Sequence, residues 1–123
     1  MRDDALLLGS SSRRLSTAEL VKPGSSSPVK QPCVYILASG WDGTLYVGVT
    51  SNLIKRVWEH KNDLIEGFTK TYRVHNLVWF EQHETMESAI LRVKAIKEWK
   101  RAWKVELIEE SNQSWRDLYP ELL

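Results

Sequence analysis

Two short runs of β-branched and aromatic residues, Cys33-Val34-Tyr35-Ile36-Leu37 and Leu45-Tyr46-Val47-Gly48-Val49, constrain the fold of this chain most tightly. Between them lies Ser39-Gly40-Trp41-Asp42-Gly43-Thr44, which carries an Asp-Gly pair. Strand formers joined through such turn residues predict an antiparallel hairpin. Pro32 precedes the first strand, where a missing N–H is tolerated. Side chains alternate along a strand, so Tyr35 shares a face with Cys33 and Leu37, and Tyr46 with Thr44 and Gly48.

The pattern then changes period. Thr50 and Ser51 offer a helix cap, and Leu53, Val57, His60 and Leu64 recur at helical spacing, which predicts a helix to about Ile65, ended by Gly67. A loop over 68–76 leads to a third strand, Leu77-Val78-Trp79-Phe80-Glu81. Thr85 caps a long helix expected over Met86 to Trp103, bent near its end, and Val105 to Glu110 continues as strand or helix. Trp115 to Leu122 reads as a closing turn that docks Trp115 and Tyr119 on the core. The resulting class is α/β (α+β): a small three-stranded antiparallel sheet flanked by helices. No repeat of the length used by solenoids or propellers is visible.

Composition sets the domain boundary. All twelve aromatic residues lie between Tyr35 and Tyr119, whereas residues 1–30 hold seven Ser and no aromatic. A segment so poor in large apolar groups cannot offset its ordering entropy. We therefore expect a disordered Ser-rich tail over 1–30, with translation from near Val29 as an alternative account of it, and one domain over 31–123. Leu6, Leu7 and Leu8 form too short a run for a signal peptide, and Asp3 and Asp4 stand where a positive region belongs, so a cytoplasmic location is expected. No apolar run approaches the roughly 20 residues that cross a bilayer. The single cysteine, Cys33, excludes an internal disulfide framework and a cysteine-built zinc site.

The formal net charge is +1 for the whole chain. Five basic and three acidic residues belong to the tail, which leaves twelve basic and thirteen acidic side chains in the domain. A nucleic-acid interface would have to be a local basic face, not bulk charge. Lys94, Lys97, Arg101 and Lys104 fall on one side of the long predicted helix, opposite Ala89, Ile96, Trp99 and Trp103, with Val93 at the border. That stripe is the wet face of an amphipathic helix or a track for phosphates.

Arg56 and His60 are helical neighbours at i and i+4. Read blandly, they are a solvated arginine and a partly buried histidine; read functionally, a planar phosphate-binding fork lies beside a group that titrates near neutrality. Tyr35 and Tyr46 are either cross-strand packing partners or phenols able to handle protons. Gly48 inside a strand marks a bulge or a close approach by a ligand or another chain segment. His75 and His83 flank the third strand without the spacing of a zinc site.

Together these residues resemble the GIY-YIG nuclease superfamily, in its small, stand-alone, single-domain bacterial form. The likeness rests on Val34-Tyr35-Ile36, on Tyr46-Val47-Gly48-Val49-Thr50-Ser51-Asn52-Leu53 followed by Arg56 and His60, and on Trp115-Arg116-Asp117-Leu118-Tyr119. It spans about 31–122. The resemblance implies phosphodiester hydrolysis of DNA with one divalent metal, Mg²⁺ or Mn²⁺. DNA, branched or damaged, would be the partner, with RNA left open. Tyr35 and Tyr46 would position or deprotonate the attacking water, Arg56 would bind the scissile phosphate, and His60 would assist proton transfer. Gly48, Lys94, Lys97, Arg101 and Lys104 would lie along the nucleic acid, and Asn112 would match a polar residue of the family's C-terminal segment. The sequence departs from the pattern in two places. Val34 replaces a glycine, and Val93 stands where the resemblance places the metal-binding glutamate; an isopropyl group cannot ligate Mg²⁺. Glu87 and Glu98 lie on other faces of that helix, and Glu59 is a more distant carboxylate. Three readings follow: an endonuclease-like domain impaired by Val93, a catalytically silent nucleic-acid-binding relative, or a protein-interaction domain that kept only the fold.

Overall fold

The structure is a computed structural model that describes residues 31–123. The expectations for the Ser-rich tail lie outside the described residues. Strands β1 (Cys33–Ala38), β2 (Leu45–Thr50) and β3 (Asn76–Gln82) form one sheet in the order β2-β1-β3. Both pairings are antiparallel, with Tyr35 opposite Gly48 on one side and Phe80 on the other. The hairpin turn closes through Ser39 N–H to Thr44 O at 3.0 Å and Gly43 N–H to Gly40 O at 3.0 Å. Asp42 takes the left-handed conformation at φ 54°, which aspartate tolerates better than most residues.

All six residues of β1 are buried, as expected of a central strand covered on both faces. Its alternation sorts the core into two layers. Val34, Ile36 and Ala38 join Val47, Val78, Ile108 and Trp115 on one face. Cys33, Tyr35 and Leu37 join Leu77, Val74 and Leu122 on the other.

Helix α1 (Leu53–Lys61) and the short α2 (Phe68–Thr71) lie on the Tyr35 face, where Leu53 and Val57 of α1 enter the core. Asn52 is the cap of α1, its Oδ1 accepting from Lys55 N–H at 3.2 Å, whereas Thr50 Oγ1 accepts from Asn52 N–H at 3.0 Å. The helix stops at Lys61, short of Ile65, and Asp63 is left-handed at φ 55° just beyond. The segment expected as loop from Phe68 contains α2, too short for a periodicity to show.

Helix α3 (Met86–Glu98) is capped by Thr85, whose side chain accepts from Ser88 N–H, and α4 (Arg101–Ser111) follows. These are two helices, not one: Trp99 and Lys100 both sit at ψ 153°, extended backbone that breaks the run. Ala89, Val93 and Ile96 of α3 pack on the Val34 face. The terminal turn α5 (Tyr119–Leu122) buries Leu122 on the Tyr35 face, while Trp115 docks on the opposite one and gives its Nε1–H to Glu109 at 2.7 Å. Asp117 fastens this segment to β3: its Oδ1 accepts from Leu77 N–H at 3.0 Å and Tyr119 N–H at 3.1 Å, and its Oδ2 pairs with Lys61.

Candidate active site on the Tyr35 face of the sheet

The Tyr35 face carries a polar inclusion in an apolar layer. Tyr35 is 2% exposed and His60 1%. Buried polar groups require partners, and these have them. Tyr35 Oη lies 3.0 Å from His60 Nε2, and His60 Nδ1 lies 2.9 Å from Thr69 Oγ1. Tyr46 completes the group, its ring 6.2 Å from that of Tyr35 and 5.4 Å from that of His60.

Gly48 makes this packing possible. A Cβ at position 48 would lie 2.5 Å from both Cζ and Oη of Tyr35, so the phenol ring occupies the space a side chain would fill. Gly48, expected to lie along nucleic acid, is instead buried beneath that ring, and the close approach belongs to Tyr35.

Electrostatics fix the protonation states. Burial raises the Tyr35 phenol, and the neighbouring Tyr46 adds to the shift while Arg56 opposes it. Burial also lowers His60 to about 4, with Arg56 acting in the same sense and Glu59 against it. At neutral pH the imidazole is therefore uncharged and bears one N–H. Where Tyr35 donates to Nε2, Nδ1–H donates to Thr69 Oγ1; the reverse tautomer satisfies the same two contacts, since both hydroxyls donate and accept. Thr69 holds the ring from its Nδ1 side and leaves Nε2 facing Tyr35. Sequence reading missed it, since nine residues separate His60 from Thr69 and no helical or strand period links them.

Arg56 is on the same helix as His60, one turn earlier, with its side chain 41% exposed and Nε 3.9 Å from Glu59 Oε1. Its field reaches both Tyr35 and His60. The structure therefore brings Tyr35, Tyr46, Arg56 and His60 together at one end of one sheet face.

Other expected site residues lie elsewhere. Lys94 and Lys97 are exposed on α3, which packs on the opposite face of the sheet from α1. The helix break separates them from Arg101 and Lys104, so the four do not lie on one face of a single helix. Arg101 Nη2 clamps the hairpin, donating to Gly43 O at 2.8 Å and Asp42 O at 2.9 Å. Asn112 is buried and fully engaged. Its Nδ2 donates to Val78 O at 3.1 Å and Arg116 O at 2.8 Å, and its Oδ1 accepts from Arg116 N–H at 3.1 Å. It ties α4 to β3 and is spent on structure.

The residues present do not fit a resident divalent metal. Val93 is 5% exposed among Val34, Ile36 and Val47, away from the Tyr35 face and without an oxygen donor. Glu59, the carboxylate beside Arg56, is already shared by Arg56 and by Lys55 at 4.0 Å. Among the described residues no group of three or more His, Cys, Asp or Glu side chains is placed to hold a metal ion.

A model of the family described as the GIY-YIG catalytic domain matches residues 31–106. The chain belongs to the GIY-YIG family. That match takes in both tyrosines, Arg56, His60 and Thr69 and stops inside α4. Similar proteins carry the same domain's dimensions: a UPF0213 protein of Staphylococcus saprophyticus is 36% identical over 69 residues, 56% of this chain and 84% of its own length. A UPF0213 protein of Staphylococcus aureus is 36% identical over 77 residues, 63% of this chain and 93% of its own. No solved structure matches the chain. The fold expected of a GIY-YIG domain, three antiparallel strands with flanking helices, is the fold observed. Membership makes the domain nuclease-like, of a family that acts on nucleic acids and generally uses divalent metals. No helix among the described residues is long and apolar enough to cross a membrane.

Proposed function

We propose that this domain binds DNA phosphodiesters at Arg56 and retains the proton-handling half of an endonuclease site. The observation that carries the reading is the packing of Tyr46 against the buried Tyr35–His60–Thr69 run of hydrogen bonds, with Arg56 one helical turn from His60. Arg56 supplies a planar fork for two phosphate oxygens. A phosphate seated there neutralises the charge that helps hold His60 unprotonated, which raises the affinity of Nε2 for a proton. A water attacking phosphorus on the tyrosine side then passes its proton to the Tyr46–Tyr35 pair as Tyr35 passes its own to His60 Nε2. The new P–O bond forms as the bond to the sugar oxygen breaks; that oxygen leaves on the far side of phosphorus and takes a proton from solvent, and His60 later returns its extra proton to solvent. Arg56 faces the charge that builds on the phosphorane.

A metal carboxylate is the missing part, and this favours a second reading: a catalytically silent relative that still binds DNA. The observation behind it is that, among the described residues, no group of three or more His, Cys, Asp or Glu side chains is placed to hold a metal ion. A nicking assay on plain and branched duplexes with Mg²⁺ or Mn²⁺ separates the two. Cleavage by the natural sequence that is lost in Tyr46→Phe and in Arg56→Ala supports hydrolysis. Salt-sensitive binding without cleavage, weakened by Arg56→Ala, supports the silent binder. Absence of both overturns the nucleic-acid reading. A cytoplasmic setting agrees with Cys33, a buried free thiol whose pKa burial raises to about 12.

A further inference from the structure

The polar cluster continues outward into exposed aromatic surface. The Tyr46 ring stacks on Phe68 with centroids 6.3 Å apart and planes at 27°, and Phe68 meets Tyr72 at 4.8 Å. Tyr46 is half-buried, but Phe68 is 45% exposed and Tyr72 55%. A single exposed aromatic is ordinary. Here two adjoin, at the rim of the site and continuous with the tyrosine that would meet the attacking water. Lys70, Arg73, Lys55 and Arg56 lie on the same short segment and on α1, Lys55 and Arg56 sharing Glu59 and Lys70 pairing with Glu66. Exposed rings continuous with Tyr46, in the cluster that Arg56 adjoins, match one ligand chemistry, a nucleobase attached to a phosphate chain. An intact duplex keeps its base faces stacked and hidden, so the complementary ligand is a strand with at least one unpaired base.

We propose that Phe68 and Tyr72 form a base-stacking subsite that receives an unpaired nucleobase of the strand whose phosphate sits at Arg56. This rests on the reading of Arg56 as a phosphate site. The subsite makes single-stranded, gapped or looped nucleic acid the preferred ligand over blunt duplex. The rings supply contact with the base, and Arg56 supplies contact with the backbone, so the two parts are separable by experiment.

The test is fluorescence anisotropy with three labelled probes: a single DNA strand of about 12 nucleotides, the same strand made abasic and so matched in phosphate number, and a blunt duplex of about 12 base pairs. The natural protein should bind the base-bearing strand about tenfold more tightly than the abasic one, the scale of one base–aromatic stack. Phe68→Leu and Tyr72→Leu keep apolar volume and remove the rings. Together they should erase that preference and leave affinity for the abasic strand unchanged. Arg56→Ala should weaken all three probes alike. The double leucine variant keeping the tenfold preference would overturn the subsite while leaving the phosphate site standing. Equal binding of abasic and base-bearing strands by the natural protein would do the same. Failure of every probe to bind removes the underlying reading, and the subsite with it. Circular dichroism of each variant confirms that the fold survives.

Discussion

Gly48→Ala tests the site through its packing. Gly48 is required for space and not for backbone conformation, since its φ is not in the left-handed region. The added methyl would sit 2.5 Å from Tyr35 Cζ and Oη and 3.0 Å from Cε2. Non-bonded carbons settle at about 3.5–4.0 Å, so the ring must retreat by about 1 Å. It is hemmed in by Tyr46 and His60, with ring centroids at 6.2 and 5.9 Å, and it is almost fully buried. Retreat of that size stretches the 3.0 Å bond to His60 Nε2 toward about 4 Å, beyond hydrogen-bond range. Overpacking costs about 1–3 kcal/mol, and a buried group left without its partner costs about 1–3 kcal/mol more. The expected loss is therefore about 2–6 kcal/mol, a large part of the stability of a domain this size. Urea unfolding measures it, and ¹⁵N spectra of the His60 ring report the broken bond. Elsewhere in a strand, replacing glycine by alanine gains about 0.5–1 kcal/mol, so the sign discriminates. A Gly48→Ala protein that is as stable as the parent, with an unchanged His60 spectrum, would refute the packing argument.

The remaining expectations concern charge and buried polar groups. His60 is held near 4 in the folded state, below its ordinary value of 6.5, so the unfolded chain binds the extra proton between those limits. Its contribution is present above about pH 6.5 and is lost as pH falls toward about 4; an NMR titration of His60 with a midpoint near 6.5 would contradict this. Thr69→Val removes the hydrogen-bond partner of His60 Nδ1 and should shift the imidazole tautomer equilibrium at a cost of about 1–3 kcal/mol, read by ring ¹⁵N shifts and urea midpoint. Asn112→Ala strands Val78 O and Arg116 O and should cost about 2 kcal/mol or more, while the salt dependence of oligonucleotide binding stays unchanged. Val93→Glu places a carboxyl in an apolar layer and should destabilise by about 3 kcal/mol without creating cleavage; gain of Mg²⁺-dependent nicking would show that position 93 reaches the site after all.

The hairpin, the third strand and the first helix were legible because each rests on a local pattern: alternation over six residues, a turn rich in Gly and Asp, and apolar residues at helical spacing. Alternation gave Tyr35 and Tyr46 their own strand neighbours, while their joint position at one site came from the family resemblance, since the register between the strands is not written in either run. What was illegible depends on contacts across the fold. The break at Trp99–Lys100 has no glycine or proline to announce it, so a helical wheel drawn through it aligned Lys94 and Lys97 with Arg101 and Lys104 on a face that does not exist. Thr69 sits in a four-residue helix without a period, and its partner His60 lies on another element. The role of Asn112 is visible only once Val78 O and Arg116 are seen to take both of its amide protons. Val93, at the border of the wheel, was drawn inward by the neighbouring apolar layer.

The direct test of the nucleic-acid site is a titration of ¹⁵N-labelled protein with a short single DNA strand, followed by backbone amide shifts. Phosphate at Arg56 beside Tyr35 and Tyr46 predicts the largest shifts at Tyr46, Arg56, Glu59 and Phe68, and small ones at Lys94 and Lys97. Shifts centred on α3 and α4, or none at all, would contradict it.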